Sequence, residues 1–185
     1  EKVMHKIDDG ASAIVRLADT DASVLYVPSS GGAANIKYAL EEVKASGTVA
    51  VSQGTYTVDA TLSVPMDRSG ITIDGRKADA QTTSTTTNGP KLQVGSAFEG
   101  NILDIKANTV TVQNLEFNTF NSGVDNGAIA ITADTLVIDG TIVTANTFKL
   151  EDGDIGLNIQ HGANVDDISF TNRSEERRVG KECRS

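Results

Sequence analysis

Apolar residues in this chain follow a helical period in one short segment and a strand period in most of the rest. The helical segment covers residues 33–46, where apolar positions recur at i, i+3, i+4 and i+7, as Ile36, Ala39, Leu40 and Val43. This spacing places them on one face and predicts an amphipathic helix. Asn35 is the expected N-cap, and Gly47 follows the period as a stop signal.

From Thr48 onward, apolar and polar positions alternate in four-residue runs. The runs TVAV, TYTV, TLSV and ITID are rich in β-branched residues and bounded by Gly, Pro or Asp, which is typical of short strands. A Thr-rich segment of low complexity at 79–89 predicts an exposed loop. Residues 1–32 contain two short apolar runs and end in Ser-Ser-Gly-Gly. We expect them to be lead-in strands or the end of a preceding domain.

The strands after the loop repeat at a nearly constant offset. Residues 101–117 align with 127–143 after 26 residues, and 156–170 follow after a further 28. The alignment superposes apolar columns: Leu103 with Ile129 and Leu157, Ile105 with Ile131 and Ile159, Val110 with Leu136, and Val112 with Ile138. Phe117 and Phe170 each close a strand, and we expect them to line one interior aromatic column.

No copy of this repeat is long enough to bury an apolar face alone, so stacked copies must share one core. Antiparallel sandwiches do not repeat apolar columns at a constant offset, whereas the coils of a β-helix pair in register. Connections between parallel strands are almost always right-handed. The pattern therefore predicts an all-β chain: a right-handed parallel β-helix over 47–172, with an N-terminal capping α-helix at 33–46 that covers its first coil. A β-sandwich is the alternative fold.

The last residues, 173–185, differ in composition from everything before them. The string RSEERRVGKECRS is dense in Arg and Glu and has no strand pattern. It resembles the translation of a sequencing-library adapter, so we expect a non-native tail. A charged, solvated natural tail is the alternative. We expect the natural part to be a fragment of a longer protein, truncated at both ends.

Without this tail, the composition excludes several classes of site. The tail contains five of the 16 Lys and Arg and three of the 25 Asp and Glu, which leaves 11 basic and 22 acidic residues and a formal net charge of -11. This acidity disfavours a nucleic-acid partner, because phosphate binding relies on clusters of Lys and Arg. The one cysteine, Cys183, lies in the tail, so thiolate metal sites and cysteine nucleophiles are not expected. No apolar stretch approaches the ~20 residues of a membrane span.

Residues 33–76 resemble the opening of pectate-lyase-superfamily proteins, which are parallel β-helices. The shared elements are a helix with an A-I-x-x-A-L core, then G-T-V, G-T-Y, a strand ending in Val-Pro, and G-I-T-I-D-G; here they occupy 35–40, 47–49, 54–56, 64–65 and 70–75. Two positions depart from the pattern, because Ser52 stands where a proline is common and Gly31-Gly32-Ala33-Ala34 replaces an Asp-rich turn. The resemblance implies that Gly54 and Gly75 serve turn geometry and that Tyr56 packs against the helix.

The resemblance also implies a secreted or cell-surface protein that acts on acidic or neutral polysaccharide. The implied activity is that of a lyase, hydrolase or epimerase, with Ca²⁺ as a possible cofactor; the residues themselves make no cofactor site evident. The alternative is a non-catalytic β-helix, such as an adhesin, a surface-layer protein or a phage tail-spike module that binds surface glycan. A homotrimer is expected in the tail-spike case. Fold alone does not choose between these functions.

Polysaccharide lyases need a base and a cation, and hydrolases need two carboxylates, so a complete active site should accumulate charge in one column of the repeat. No column does so: Asp104 aligns with Ala130 and Asn158. The aligned repeats therefore argue against a complete active site in this chain.

The candidate catalytic residues are a pair of aspartates and a nearby histidine, a combination that some β-helix hydrolases use: Asp166, Asp167 and His161. Polar residues of turns and strand ends are the alternative interpretation. The candidate metal ligands are Asp152 and Asp154, which with Glu151 could offer oxygen atoms to a hard cation. An ordinary Asp-Gly turn is the alternative there.

Two further Asp-Gly pairs, Asp74-Gly75 and Asp139-Gly140, end the equivalent runs ITID and LVID. We expect both pairs to be turn residues.

Overall fold

The computed structural model describes residues 3–5, 15–17, 23–76, 89–120, 126–132, 137–138, 140–150, 153–159, 164–165, 169–171 and 174–177. Most of this part of the chain forms short strands in three parallel sheets, and a 3-10 helix (Ser29–Gly31) and one α-helix lie between the first of these strands and the rest. The predicted loop at 79–89 lies outside the described residues, apart from Gly89.

The three parallel sheets form three faces. Face 1 consists of β3 (Val24–Val27), β4 (Thr48–Val51), β7 (Thr72–Gly75), β10 (Thr111–Gln113), β14 (Ile142–Thr144) and β18 (Ser169–Thr171). Face 2 consists of β5 (Thr55–Val58), β8 (Lys91–Val94), β11 (Glu116–Asn118), β15 (Thr147–Leu150) and β19 (Ser174–Arg177). Face 3 consists of β6 (Leu62–Val64), β9 (Asn101–Ile105), β12 (Gly127–Ile131) and β16 (Ile155–Ile159).

Two pairs of strands lie outside the three faces. The strands β1 (Val3–His5) and β2 (Val15–Leu17) pair antiparallel, whereas β13 (Val137–Ile138) and β17 (Asn164–Val165) pair in parallel.

From β4 onward the chain visits face 1, face 2 and face 3 in the same order in each coil. Each strand therefore stacks in parallel on the strand one coil earlier, and neighbouring coils lie ~4.8 Å apart, the usual spacing of hydrogen-bonded strands. The expected all-β architecture of stacked parallel strands is confirmed.

The first two apolar columns of the repeat are also confirmed. In face 3, Ile129 pairs with Leu103 on one side and with Leu157 on the other, and Ile131 pairs with Ile105 and Ile159. These columns point into a single core that all three faces line. Because equivalent residues of successive coils stack on each other, the period of the sequence repeat equals the number of residues in one coil.

The second pair of columns was predicted wrongly. Val112 pairs with Val143, not with Ile138, and Ile138 pairs with Val165 instead. The physical reason is an insertion: the short strand β13 lies between β12 and β14 and lengthens this coil, so face 1 resumes later than the offset predicts. Leu136, the predicted partner of Val110, lies outside the described residues.

The same lengthening changes the aromatic column. Phe117 pairs with Phe148, and their rings stack with centroids 5.4 Å apart and an interplanar angle of 9°. Phe170, its predicted partner, pairs with Val143 in face 1. The interior aromatic column is therefore real, but it belongs to face 2 and its second member is Phe148.

The helix α1 spans Gly32–Glu42, a shorter range than the predicted 33–46. It ends early because Val43 adopts an extended conformation while its N–H still donates to the Ala39 carbonyl, at 2.9 Å. The N-cap is Gly31, so the prediction of Asn35 was wrong. Asn35 is buried inside the first turn, where its amide lies so close to Gly31 that a Cβ there would overlap it.

Helix α1 packs against β3, β4, β5 and β6, the first strands of the three faces. Its apolar face is buried there, with Ile36 and Leu40 almost fully covered. Arg68, which follows β6, donates from Nε and Nη2 to the Glu41 carbonyl at 3.2 and 2.7 Å. A cation at this position satisfies a free carbonyl and favours the negative end of the helix. The helix is thus anchored to the first coil at both its face and its C-terminus.

Strand β19 lies within residues 173–185, the predicted non-native tail. Its register places Glu175 opposite Phe148. Glu175 thus ends the column that runs through Tyr56, Leu92, Phe117 and Phe148. Strand pairing uses backbone groups, so an open sheet edge can pair with a foreign sequence. The apolar pattern of the column stops where the tail begins, and the origin of the tail stays a prediction.

Candidate functional site

Face 2 has a regular division between inward and outward side chains. Its inward column contains Tyr56, Leu92, Phe117 and Phe148, all buried. Because side chains alternate along a strand, the residues on either side of this column point outward. In β5, β8, β11 and β15 every one of them is polar: Thr55, Thr57, Lys91, Gln93, Glu116, Asn118, Thr147 and Lys149.

The outward residues of face 2 form two columns that run along the stack. Glu116 lies opposite Lys91 in one neighbouring strand, and its carboxylate forms an ion pair with Lys149 at 3.4 Å. Glu116 is 15% exposed and Lys149 33%, so solvent reaches both groups. Asn118 is buried, and its Oδ1 accepts from the Phe120 N–H at 3.0 Å. The other outward residues form a shallow strip of hydroxyl, amide, ammonium and carboxylate groups, spaced ~4.8 Å from coil to coil.

Face 3 carries a smaller polar cluster. Asp104 accepts a hydrogen bond from the Thr132 hydroxyl and forms an ion pair with Lys106 at 3.4 Å. Above it in the outward column lie Ala130 and Asn158, as the repeat predicts. The Asp104 carboxylate therefore has no second carboxylate beside it in this column, and it already binds Thr132 and Lys106.

Face 1 contains a buried carboxylate that the sequence interpretation misassigned. Asp74 lies inside β7, not in a turn, and is 2% exposed. Its Oδ2 pairs with Arg76 Nη2 at 2.8 Å, and its Oδ1 accepts from Asn114 Nδ2 at 2.8 Å. A buried carboxylate needs such partners to offset its desolvation. Gly75 also lies in the strand, and a Cβ there would overlap the Asn114 carbonyl, so its role is close backbone approach and not a turn.

Of the second Asp-Gly pair, Asp139-Gly140, the structure describes only the glycine. Gly140 has a φ of 65°, a conformation that favours glycine in a turn. Asp139 lies outside the described residues.

The candidate catalytic residues Asp166, Asp167 and His161 lie outside the described residues, and so does Asp152. Asp154 is described, and it links two coils. Its carboxylate accepts a hydrogen bond from the Asn126 backbone N–H at 2.6 Å.

The link at Asp154 has an equivalent one coil earlier, because Asn126 Oδ1 accepts from the Gly100 N–H at 3.1 Å. Each acceptor directly precedes a face 3 strand. Within the described part of the chain, no three His, Cys, Asp or Glu side chains come together as a metal-binding group.

The sequence patterns did not predict the two-residue turn that connects face 1 to face 2. Asn114 opens this turn with a φ of 59°, and Ala145 opens the next with 52°. Asn146 follows Ala145 and is fully buried: it accepts from the Leu115 N–H at 3.0 Å and donates to the Val112 carbonyl at 2.8 Å. An asparagine recurs between two short strands, as Asn114 and as Asn146, and this recurrence could have indicated the turn.

The side chain of Tyr56 is the described group whose ionisation the fold clearly changes. It is buried in the core, and its hydroxyl donates to the Ser52 carbonyl at 2.8 Å. Burial disfavours the phenolate and raises the pKa of Tyr56 from 10.0 to about 12. This tyrosine is a structural core residue and not a group that titrates near neutral pH.

Comparison with protein-family models, with curated proteins and with solved structures gives no match to this chain. The helices within the described residues include none with the length and apolarity that a membrane crossing requires.

Proposed function

We propose that the chain is a right-handed parallel β-helix of the pectate-lyase-superfamily type, extracellular, that binds polysaccharide along face 2. Two observations and one general rule support the fold part of the proposal. Parallel strands recur on three faces in a constant order, helix α1 packs on the first coil, and crossovers between parallel strands are almost always right-handed. The motifs of residues 33–76 support the family.

The observation that carries the binding function is the composition of face 2. All its outward side chains in β5, β8, β11 and β15 can form hydrogen bonds. On face 1 the outward polar pattern is interrupted by exposed Tyr26 and Ile142 and by Ala50, and on face 3 it is interrupted by Ala130. A polysaccharide offers many hydroxyl groups at regular intervals, and a strip of donors and acceptors that repeats with each coil is complementary to such a chain.

Binding is favoured over catalysis by the state of the carboxylates. On the described faces, Asp74, Asp104 and Glu116 each lie on a different face, and each forms an ion pair with Arg or Lys. A glycoside hydrolase instead needs two facing carboxyl groups, one on each side of the scissile bond, that are free to act on the substrate. In this proposal the ion pair of Glu116 with Lys149 serves recognition and joins two coils, while the pairs of Asp74 with Arg76 and of Asp104 with Lys106 each lie within one coil.

Affinity electrophoresis of the whole chain through gels containing polyuronates or neutral glucans tests the proposal. We expect retardation by at least one polysaccharide. The double variant Thr55→Val with Thr57→Val removes two exposed hydroxyls from face 2 without changing side-chain shape. It should weaken binding about tenfold, since each hydrogen bond contributes roughly 0.5–1.5 kcal/mol.

The matched control is Thr48→Val with Thr72→Val, the same change on face 1. It should bind as the unmodified chain does. Equal loss in both variants, or no retardation by any polysaccharide, would refute binding on face 2. Ultraviolet absorbance of the same polyuronate mixtures, with and without Ca²⁺, reports unsaturated product and therefore separates binding from lyase activity.

A further inference from the structure

Asn126 and Gly127 form one of the two Asn-Gly pairs in this chain, and the other is Asn88-Gly89. An asparagine followed by glycine is the sequence most prone to spontaneous deamidation, because glycine has no side chain that hinders attack by its backbone nitrogen. Asn88 lies outside the described residues. Asn126 directly precedes β12 and is buried, with 4% of its surface exposed.

One residue of the preceding coil, Gly100, binds both groups of this pair that take part in deamidation. The Gly100 N–H donates to Asn126 Oδ1 at 3.1 Å, and the Gly100 carbonyl accepts from the Gly127 N–H at 3.0 Å. The Asn126 N–H in turn donates to the Asp154 carboxylate at 2.6 Å, so both neighbouring coils hold this residue. The amide that would react and the nitrogen that would attack it are therefore each held in another hydrogen bond.

We propose that Asn126 is a site of spontaneous deamidation, blocked while β12 pairs with β9 and reactive when face 3 opens locally. In the open state the Gly127 nitrogen loses its proton and forms a bond to Asn126 Cγ. The bond from Cγ to Nδ2 breaks, and Nδ2 takes up a proton and leaves as ammonia. Water then adds to either carbonyl of the cyclic imide and opens the ring to aspartate or isoaspartate.

The two products differ in their effect on the coil. Aspartate at position 126 keeps an oxygen acceptor for the Gly100 N–H, as the Asp154 carboxylate does for the Asn126 N–H one coil later. Isoaspartate instead carries the main chain through the side-chain carbonyl, which adds a backbone carbon immediately before β12. This carbon disturbs the pairing of β12 with β9, so each event that gives isoaspartate permanently weakens face 3.

Peptide mass spectrometry of the whole chain, incubated at mildly alkaline pH with and without denaturing guanidinium chloride, tests this inference. In the denaturant, Asn126 and Asn88 should deamidate at similar rates, because the unfolded chain protects neither pair. Without it, Asn126 should react at least about tenfold more slowly than in the denaturant, since two hydrogen bonds must open first. Equal rates of Asn126 deamidation in the two conditions would overturn the proposal.

Two aspartates of the same face provide matched variants for the native chain. Asp154→Ala removes the acceptor of the Asn126 N–H and should speed native deamidation about threefold. Asp104→Ala removes contacts with Thr132 and Lys106, which do not belong to the reacting pair, and should leave the rate unchanged. A rate at Asn126 that responds equally to both variants would also overturn the proposal.

Discussion

Asn146 links two neighbouring coils through its side-chain amide, and its replacement by alanine should destabilise the fold by about 2–4 kcal/mol. In the native chain this amide accepts from the Leu115 N–H at 3.0 Å and donates to the Val112 carbonyl at 2.8 Å. The residue is 0% exposed, so water does not replace either bond in a rigid structure. Asn146→Ala therefore leaves a buried donor without its acceptor.

The magnitude follows from these two bonds. A buried polar group that loses its partner costs roughly 1–3 kcal/mol, and the Leu115 N–H loses the acceptor described for it. The Val112 carbonyl loses one donor, which adds about 0.5–1.5 kcal/mol. The sum corresponds to a large fraction of the stability of an ordinary domain, which is ~5–15 kcal/mol.

Urea unfolding followed by circular dichroism measures this change. The midpoint should fall with an unchanged slope, because the surface exposed on unfolding is the same. Asn158→Ala is the matched control: it makes the same chemical change at a half-exposed position of face 3 and should alter stability by less than about 0.5 kcal/mol. Equal, small effects of the two variants would refute the role of Asn146 as a link between coils.

Three further variants test the core and a close contact. The stability that neutral Tyr56 contributes is fully present below pH 10 and is lost as pH rises through its folded pKa of about 12, by about 3 kcal/mol in total. Tyr56→Phe should abolish this alkaline loss, while Tyr38→Phe, at an exposed site, should retain it in pH-dependent urea melts. Phe148→Leu should cost about 1–2 kcal/mol in thermal unfolding, because it removes the stacked ring pair, and an unchanged midpoint would contradict the stack. Gly75→Ala should cost about 3 kcal/mol because its Cβ overlaps the Asn114 carbonyl, and Gly156→Ala, where the nearest atom lies at 3.4 Å, should cost less than 1 kcal/mol; equal costs would contradict the close approach.

The sequence predicted most reliably those features that depend on stacking. The columns of Ile105 and Leu103 were predictable because coil-to-coil pairing superposes like residues, and their register is as expected. Where a coil changes length, the offset is lost. The assignments of Val112 and Phe117 failed for this reason, since a short strand inserted before face 1 cannot be recognised from apolar periodicity alone.

Polar positions were predicted less well, because their roles depend on neighbours in other coils. Asp74 was interpreted as a turn residue from its Asp-Gly pair, yet its partners are Arg76 and Asn114, the latter one coil away. The strip of polar residues on face 2 emerged only when the register placed Thr57, Gln93 and their neighbours side by side. No spacing rule in a single strand reveals such a surface.

The fold depends on the parallel register between successive coils, because the polar strip of face 2 exists only if each coil stacks in parallel on the one before. Nuclear Overhauser contacts across β9, β12 and β16 measure it directly. Parallel pairing predicts amide contacts that connect Leu103 with Ile129 and Ile129 with Leu157, without the close Hα–Hα contacts of antiparallel pairs. Strong Hα–Hα contacts between these strands, or the absence of contacts at these positions, would contradict it.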